Sequence, residues 1–255
     1  MQQYFAKNKN LELEDGDYHH IKNVMKMKCG DLIKVVYDNV IYTCKLNNVS
    51  NKSTFDIINK EEKTDKKLSV SIAFSLIKEQ KLNYLLQKTT ELGVNKLIPI
   101  ETKRSVVKIE GNKEKTKIDR WKKICKEASE QSFRADIPEI SGILTLKNLV
   151  NLDYDLKLVC SLNKNTKNIK KILEKNNKCV KILLVVGPEG GFDPLEEEYL
   201  LENGFKSVSL GENVLRAETA PVAALSMINY EFMRWVVWKI YLQLRLILLT
   251  IFIII

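Results

Sequence analysis

The sequence predicts a small β-barrel domain followed by a larger α/β domain with a largely parallel sheet. Two observations lead to this prediction. Residues 1–68 contain several short stretches in which apolar and polar residues alternate between turn residues, which is typical of the strands of a small barrel. From residue 69 onward, apolar runs of strand length alternate with segments of helical periodicity, which is typical of a parallel sheet covered by helices.

Composition and charge narrow the class of protein. The chain of 255 residues is 45% hydrophobic and 29% charged, as expected for a globular protein rather than a disordered one. Its net charge is +9, and residues 78–134 alone carry 15 basic and 8 acidic side chains. This basic block predicts a polyanionic partner such as nucleic acid, although an ordinary solvated face has the same composition.

Cysteine and histidine usage gives no reason to expect a metal. The five cysteines form no C-x-x-C pair, and the two histidines, His19 and His20, are adjacent. Neither arrangement has the spacing of a zinc site. The first residues, "MQQYFAKNKN", lack the apolar core of a signal peptide, so we expect a reduced, cytoplasmic protein.

The elements of the first domain are a hairpin and a further strand. In "DLIKVVYDNVIYTCKLNNV", two alternating stretches flank Asp38 and Asn39, residue types that favour a tight hairpin turn. "STFDIINK" is another strand candidate. The polar stretch "NKEEKTDKK", residues 59–67, is predicted to be a linker.

The second domain begins with a strand, a helix and a strand. "LSVSIAFSLI" is predicted to be a buried strand and "KLIPI" a short one. Between them, apolar residues recur at helical spacing and Gly93 follows as a natural stop. The residues on this predicted buried face are Leu82, Leu85, Leu86, Thr89 and Leu92.

A second amphipathic helix and two more strands follow. The helix "KIDRWKKICKEASEQSF" places Trp121, Ile124, Cys125 and Ala128 on one face. "LKLVCSL" is then predicted to be a strand, "IKKILEK" a short helix, and "VKILLVV" a buried strand.

A glycine-rich corner, residues 187–191, ends the last of these strands. Parallel sheets bind ligands at the carboxyl ends of their strands, and glycine lets a ligand approach the backbone closely. Asp193 is a predicted N-cap, with Pro194 at the first helical position, Glu196 completing a capping box, and Gly204 ending the helix. No Gly-Lys-Ser/Thr follows the corner, so it is not a phosphate-binding P-loop. A plain tight turn is the alternative.

A second corner, in "SVSLGENVLRAETAPVAALSMI", repeats this arrangement. A short strand is followed by Gly211, an irregular segment, and a helix with Pro221 in or near its first turn. The segment holds Arg216 and Glu218, which are either functional or simply a salt-bridged pair. Two corners of this kind within about 40 residues predict a shared pocket.

These motifs, in this order, resemble the RsmE family of SPOUT-class RNA methyltransferases over residues 1–232. The segments that carry the resemblance are "HHIKNVMKMKCGD", "QKTTELGV", "KRSVV", "RWKKICKEASEQSFRADIP", "GPEGGF" and "LGENVLRAETA". The resemblance implies methylation of N3 of a uridine in 16S ribosomal RNA of the small subunit, with S-adenosylmethionine as the cofactor. It also implies a PUA-like, RNA-binding β-barrel over residues 1–68, a trefoil-knotted methyltransferase domain over residues 69–232, and a homodimer.

The resemblance also implies roles for individual residues. Arg216 is expected to stabilise negative charge that develops on a uracil oxygen, and Glu218 to accept the N3 proton, although Glu218 could instead orient Arg216 or cap the last helix. The cofactor site is expected to comprise Gly187, Pro188, Glu189, Gly190, Gly191, Leu210, Gly211, Leu215 and Ala220. The expected RNA contacts are His20, Lys26, Arg104, Ser105, Gln131 and Arg134, of which His20 could equally be a packed residue of the first domain.

The chain departs from the family in three places. Lys26 stands where the family usually has arginine, and Met25 where it usually has leucine. The apolar tail, residues 233–255, has no counterpart, and it is interpreted as the product of a late frameshift, as a dimer-packing helix or as a membrane segment. Membrane association is the least favoured of these.

Two other functions remain open at this stage. One is a SPOUT methyltransferase that acts on another RNA, such as transfer RNA. The other is a non-catalytic RNA-binding or ribosome-assembly protein, against which the intact motifs at 187–191 and 215–220 argue.

Overall fold

The computed structural model describes residues 1–62, 68–109, 111–163 and 166–232, which form a smaller and a larger sheet. The smaller sheet has the order β1-β2-β3-β4. Its strands are β1 (Gln2–Phe5), β2 (Leu32–Tyr37), β3 (Val40–Leu46) and β4 (Phe55–Glu62). Strand β1 pairs with β2 in parallel, and the other pairs are antiparallel. A short helix α1 (Asp15–His19) and a π-helical turn (His20–Val24) lie between β1 and β2.

The predicted hairpin is confirmed. Asp38 and Asn39 have φ angles of 49° and 61°, the left-handed pair that a two-residue hairpin turn of matching twist requires. Strand β4 extends to Glu62, so the prediction of a linker over residues 59–67 is wrong for residues 59–62, and residues 63–67 lie outside the described residues. Residues 59–62 are polar because they lie on an exposed edge strand, where they still pair with the backbone of β3.

Strand β1 and the helical segment 15–24 were not predicted from the sequence. Helix α1 begins with a capping box between Glu14 and Asp17, and the segment buries Tyr18 and Ile21. Only two apolar side chains are buried over ten residues that also include Gly16, so no helical periodicity marks the segment.

The described strands of the larger sheet all pair in parallel, in the order β7-β6-β5-β10-β8-β11-β9. They are β5 (Ser69–Ser75), β6 (Lys96–Ile100), β7 (Glu139–Ile140), β8 (Leu156–Cys160), β9 (Lys167–Asn168), β10 (Lys181–Val186) and β11 (Lys206–Ser209). The helices are α2 (Glu79–Glu91), α3 (Gly111–Gln131), α4 (Leu146–Val150), α5 (Ile169–Lys175), α6 (Pro194–Glu202) and α7 (220–232). The predicted α/β domain with a parallel sheet is therefore confirmed.

Strand β10 is the centre of this sheet and is covered on both faces. Ile182, Leu184 and Val186 belong to the core cluster that includes residues of α2, α3, α5 and α7. Leu183 and Val185 belong to the cluster on the other face, which includes residues of α4 and α6. Burial on both faces explains why β10 is a continuous apolar run rather than an alternating one.

The two predicted amphipathic helices are present. Helix α2 buries its predicted apolar face, with Leu92 only partly buried, and ends at Glu91, two residues before Gly93, which has φ +88°. Helix α3 begins at Gly111 rather than at the predicted Lys117. The added residues are polar and mostly solvent-facing, so they carry no apolar periodicity, but Glu114 fixes this end by accepting a hydrogen bond from the backbone of Ile143 at 2.9 Å.

The end of α3 packs against the smaller sheet. The Gln3 side chain donates to the carbonyl of Arg134 at 2.6 Å, and Lys34 lies over the ring of Phe133. Lys126 forms an ion pair with Asp17 of the α1 segment at 3.0 Å. These contacts fix the two sheets relative to each other.

The apolar tail, residues 233–255, lies outside the described residues. Within the described ranges, no helix is both long enough and apolar enough to cross a bilayer.

Candidate functional site

The loops that follow β8, β10 and β11 meet around one cavity of about 560 Å³. These strands are neighbours, with β8 between β10 and β11, so their carboxyl ends bring the two predicted corners together. The cavity is lined by every residue predicted for the cofactor site, namely Gly187, Pro188, Glu189, Gly190, Gly191, Leu210, Gly211, Leu215 and Ala220. The predicted shared pocket therefore exists, while the ligand that these residues hold stays a prediction.

The first corner favours glycine at two places, once for a left-handed φ angle and once for lack of space. Gly191 has φ +68°, and its amide donates to the Pro188 carbonyl at 2.9 Å, which closes a tight turn. A Cβ atom at Gly187 would lie 3.1 Å from the ring of Phe192. Phe192 is buried in the core, so it has little room to move aside.

Helix α6 holds the far end of this corner. The Asp193 side chain accepts from the Leu195 amide and the Glu196 side chain from the Asp193 amide, both at 3.2 Å, so the predicted capping box is confirmed. The other Glu196 oxygen accepts from the backbone amide of Lys103 at 2.8 Å. The cap thus also ties the loop after β6 to the corner.

Two cations contact the corner from outside. Lys81, on α2, forms an ion pair with Glu189 at 3.1 Å, and Arg104 donates from Nη1 to the Gly190 carbonyl, also at 3.1 Å. Partial burial raises the pKa of the Glu189 carboxyl, but hydrogen bonds from its own amide, from Lys81 and from the Lys78 amide outweigh this, and the pKa is lowered. Glu189 therefore stays ionised beside the cavity.

Arg216 and Glu218 lie at the start of α7. Arg216 lines the cavity with an exposed side chain, and its carbonyl accepts from the amides of Thr219 and Ala220, both at 2.9 Å. Glu218 is half-buried, and its Oε2 atom is fully buried with no hydrogen-bond partner among the described residues. Within those residues no ion pair joins the two side chains, so the salt-bridged alternative is not what holds the loop.

The lining of the cavity suits a nucleoside-like ligand that has a charged end. Its walls include the apolar side chains of Val186, Val208 and Leu215, and charged side chains of both signs stand at its rim. A volume of about 560 Å³ lies in the usual range for small-molecule sites. The glycine corner adds exposed backbone that can pair with a base edge. These features fit S-adenosylmethionine, which has an adenine, a sulfonium and an amino-acid end but no phosphate.

Some lining residues were missed from the sequence. The segment after β8, from Cys160 to Asn163, could have been found by the same carboxyl-end rule that located the corners. Burial raises the pKa of the Cys160 thiol to about 12, so it is a neutral wall residue. No sequence signal marks Lys81, because it reaches the cavity only through the packing of α2.

The predicted RNA residues are spread over a wider surface. Arg104 lies at the cavity, and Ser105 lies beside it with its hydroxyl 2.8 Å from that of Thr102. His20 and Gln131 line a separate groove of about 1040 Å³ between the α1 segment and α3. His20 is half-buried, and its Nδ1 lies 3.0 Å from the Tyr4 hydroxyl. Lys26 is exposed on the smaller domain, and the groove also includes Lys122 and Lys123, which were not predicted.

Arg134 is the predicted RNA contact that the structure places inside the protein. It is buried, and its guanidinium donates to the carbonyls of Thr90 at 2.7 Å and Val94 at 2.8 Å. It also pairs with Asp136 at 2.6 Å. Because these bonds occupy the guanidinium in joining α3 to α2, the RNA surface proposed below leaves Arg134 out.

Comparison with known proteins identifies similar chains. Residues 64–229 match the family described as RNA methyltransferase domain, and residues 13–58 match the RNA methyltransferase PUA domain. The chain is 35% identical to ribosomal RNA small subunit methyltransferase E of Bacillus subtilis, over 91% of this chain and 97% of that protein. It is 34% identical to the protein of the same name from Mesomycoplasma hyopneumoniae, over 82% and 88% of the two chains.

Two solved structures are also similar. A methyltransferase from Legionella pneumophila in complex with the cofactor S-adenosylmethionine is 29% identical, with a TM-score of 0.82 over 90% of this chain and 97% of that one. Ribosomal RNA small subunit methyltransferase E from Neisseria gonorrhoeae, bound to S-adenosylmethionine, is 25% identical, with a TM-score of 0.81 over the same shares of the two chains.

Proposed function

Because this chain belongs to the ribosomal RNA small subunit methyltransferase E family, we propose that it transfers a methyl group from S-adenosylmethionine to N3 of one uridine in 16S ribosomal RNA. The observation that carries this proposal is the single cavity that the two corners form. A decayed, non-catalytic relative would have no reason to keep both corners, the capping box and the packed glycine at 187 together.

The cofactor would be held by the glycine corner and the second loop. Gly187 to Gly191 and Gly211 offer backbone to the adenine edge, while Leu210, Leu215 and Ala220 offer apolar contact. When bound, the cofactor supplies an electrophilic methyl group on a sulfonium sulfur. The protein must align the uracil with that methyl group and remove the N3 proton.

We propose Arg216 and Glu218 for these two tasks, because Arg216 lines the cavity and Glu218 follows it in the same loop. The exposed guanidinium of Arg216 at the cavity can stabilise negative charge on a uracil oxygen as N3 loses its proton. Glu218 does not line the cavity and its unpartnered Oε2 is buried, so its proposed role as the acceptor of that proton requires a movement that exposes the carboxylate to the uracil. The N3–C bond then forms as the carbon–sulfur bond breaks and its electron pair returns to sulfur.

We propose further that the RNA runs from the cavity past Arg104 and Ser105 to the groove that holds His20 and Gln131, with Lys26 on the smaller domain. The excess of positive charge in residues 78–134 supports the part of this route near Arg104, Lys122 and Lys123, while the acids Glu14, Asp17 and Glu130 of the groove are paired with Lys126. The family resemblance supports a closed PUA-like barrel, a trefoil knot and a homodimer. A substrate in the small ribosomal subunit supports action in the cytoplasm.

The direct test is methyl transfer from labelled S-adenosylmethionine to small ribosomal subunits that lack the modification, with the product nucleoside identified by mass spectrometry. We expect N3-methyluridine at one site. Transfer to transfer RNA instead would contradict the proposed substrate, and cofactor binding without transfer to any RNA would favour the non-catalytic alternative. The same assay on a chain that ends at Phe232 determines whether the apolar tail changes the result.

A further inference from the structure

Arg104 stands between the cofactor cavity and the basic surface. It lines the cavity, and its Nη1 donates to the Gly190 carbonyl at 3.1 Å. The side chain is exposed, and within the described part of the chain its guanidinium makes no other hydrogen bond. Since a guanidinium has five N–H donors in a planar fork, most of its donors remain free for a ligand.

The backbone that carries Arg104 is already fixed. The Thr102 hydroxyl donates to the Ser75 hydroxyl at 3.1 Å, and the Lys103 amide donates to Glu196 at 2.8 Å. Ser75 ends β5, which pairs with the strand that leads into the glycine corner, and Glu196 lies in α6, the helix that follows the corner. Because the backbone is held, only the side chain of Arg104 has to become ordered when ligands bind.

The second ligand that fits this guanidinium is a phosphate. Arg104 belongs to the basic block 78–134, and the planar fork binds phosphate oxygens two at a time. We propose that Arg104 contacts the Gly190 carbonyl and an RNA phosphate simultaneously, and so makes the binding of cofactor and RNA mutually reinforcing. This inference depends on the proposed function, because it takes RNA and S-adenosylmethionine as the two ligands.

The physical reason is that the entropy lost when the Arg104 side chain becomes ordered is lost only once, although both ligands need the side chain ordered. An exposed arginine loses rotamer freedom when it is fixed, and the first ligand to bind bears that loss. A phosphate on the fork holds the guanidinium against Gly190, which stabilises the turn that the cofactor contacts. A cofactor that orders the turn presents a fixed fork to the phosphate. By linkage, the factor must be the same in both directions.

The experiment measures this factor by titration calorimetry. S-adenosylhomocysteine serves as the cofactor probe, because it has no methyl group to transfer, and an unmodified transcript of the small-subunit RNA serves as the RNA probe. For the wild type, we expect saturating RNA to lower the Kd of S-adenosylhomocysteine about fivefold, the lower end of usual coupling. The reverse titration should give the same factor.

Three variants separate coupling from charge. Arg104→Ala should bind both ligands separately with no coupling. Arg104→Lys keeps the charge but lacks the fork, so RNA affinity should stay near that of the wild type while the coupling falls below about twofold. Lys122→Ala, in the groove and away from the cavity, should weaken RNA binding and leave the coupling at its wild-type value.

Two results would overturn the inference. One is a wild-type protein that binds both ligands independently, and the other is Arg104→Lys coupling as strongly as the wild type. Failure of the wild type to bind S-adenosylhomocysteine at all, or to prefer this RNA over transfer RNA, would instead contradict the proposed function on which the inference rests. Thermal unfolding of each variant without ligands confirms that the comparison is between folded proteins.

Discussion

At the scale of single residues, the site depends on a glycine that leaves room for a neighbouring ring and on a carboxylate oxygen that has no hydrogen-bond partner among the described residues. Gly187 leaves space that the Phe192 ring fills, and Glu218 keeps a buried oxygen without a hydrogen-bond partner in the described structure. A buried carboxylate oxygen without a partner costs stability in any protein. Glu218 does not line the cavity itself, but it lies between the lining residues Arg216 and Ala220, so a partner that arrives with the substrate would account for this oxygen.

Replacing Arg216 by alanine should separate binding from catalysis. Because the guanidinium is proposed to act on charge that develops during the reaction, Arg216→Ala should lower kcat by roughly 10²-fold to 10³-fold. The Kd of S-adenosylhomocysteine, measured by calorimetry, should change little. Wild-type turnover in this variant would remove the catalytic role of Arg216, and a large loss of cofactor affinity would reassign it to the cofactor site.

Replacing Gly187 by alanine should disturb the corner through Phe192. The new methyl group would lie 3.1 Å from a buried ring, and overpacking of this kind costs about 1–3 kcal/mol. We expect a lower unfolding free energy and about tenfold weaker binding of S-adenosylhomocysteine, which corresponds to about 1.4 kcal/mol. Gly16→Ala is the matched control, since a Cβ at Gly16 has no neighbour within 4 Å. Unchanged affinity in Gly187→Ala would show that the corner is not the cofactor site.

At the scale of elements, helix α6 does more than cover the sheet. Its first residues connect the helix, the glycine corner and the loop after β6. Asp193 caps the helix and accepts a hydrogen bond from the Lys103 side chain. Glu196 accepts hydrogen bonds from the backbone amides of Asp193 and Lys103. The helix start therefore sets the distance between the glycine corner and the loop that carries Arg104.

Removing the cap should loosen this connection. Asp193→Ala should lower the unfolding free energy by about 1 kcal/mol, as for other N-caps, and should also weaken S-adenosylhomocysteine binding. Asn168→Ala is the matched control, because Asn168 caps α5 through the Lys170 amide and does not line the cavity. If both variants lose the same unfolding free energy and only Asp193→Ala binds S-adenosylhomocysteine more weakly, the result supports a connection between the cap and the cofactor site. An affinity loss in both variants would attribute the effect to general destabilisation.

At the scale of the whole molecule, the contact between the two domains contains more acid than base. Lys126 lies 3.0 Å from Glu14 and from Asp17 of the smaller domain, and 3.6 Å from Glu130 on its own helix. Burial lowers the pKa of Lys126, but Asp17 and the other acids outweigh this and the pKa is raised. Burial raises the pKa of Glu130 to about 7; the positive charge of Lys126 opposes this rise, and the negative charge of Asp17 adds to it.

Stability should therefore depend on pH through Glu130. A raised folded-state pKa means that the protonated form is favoured by folding, so this contribution is full below pH 4.5 and is lost as the pH rises through about 7. The contribution is about 3 kcal/mol at most. Glu130→Gln should flatten the fall in unfolding free energy between pH 5 and pH 8, measured by urea denaturation. Glu127→Gln, exposed on the same helix, is the control, and an unchanged pH profile in Glu130→Gln would reject this assignment.

Features that depend on residues close together in the sequence were predicted, and features that depend on contacts between distant residues were not. The central strands, the amphipathic helices and both corners were predicted because each is marked by local periodicity or by a turn residue. Strand β1 was missed because four residues carry little pattern and their pairing with β2 spans about 30 positions. Arg134 was predicted to be an RNA contact from its place in the "EQSFR" motif, but its guanidinium binds the carbonyls of Thr90 and Val94, which lie at the end of another helix.

The strand order also has a consequence for how the protein is made. In a nascent chain, β5 leaves the ribosome early and can pair with β6 on one side, but its other neighbour, β10, begins only at Lys181. At about 5–20 residues per second, translation of the intervening segment takes roughly 5–20 seconds. Throughout this interval a strand that is almost wholly buried in the folded protein has one open edge. The larger domain should therefore depend on chaperone protection during its synthesis more than the smaller domain, whose sheet is complete once residue 62 has emerged.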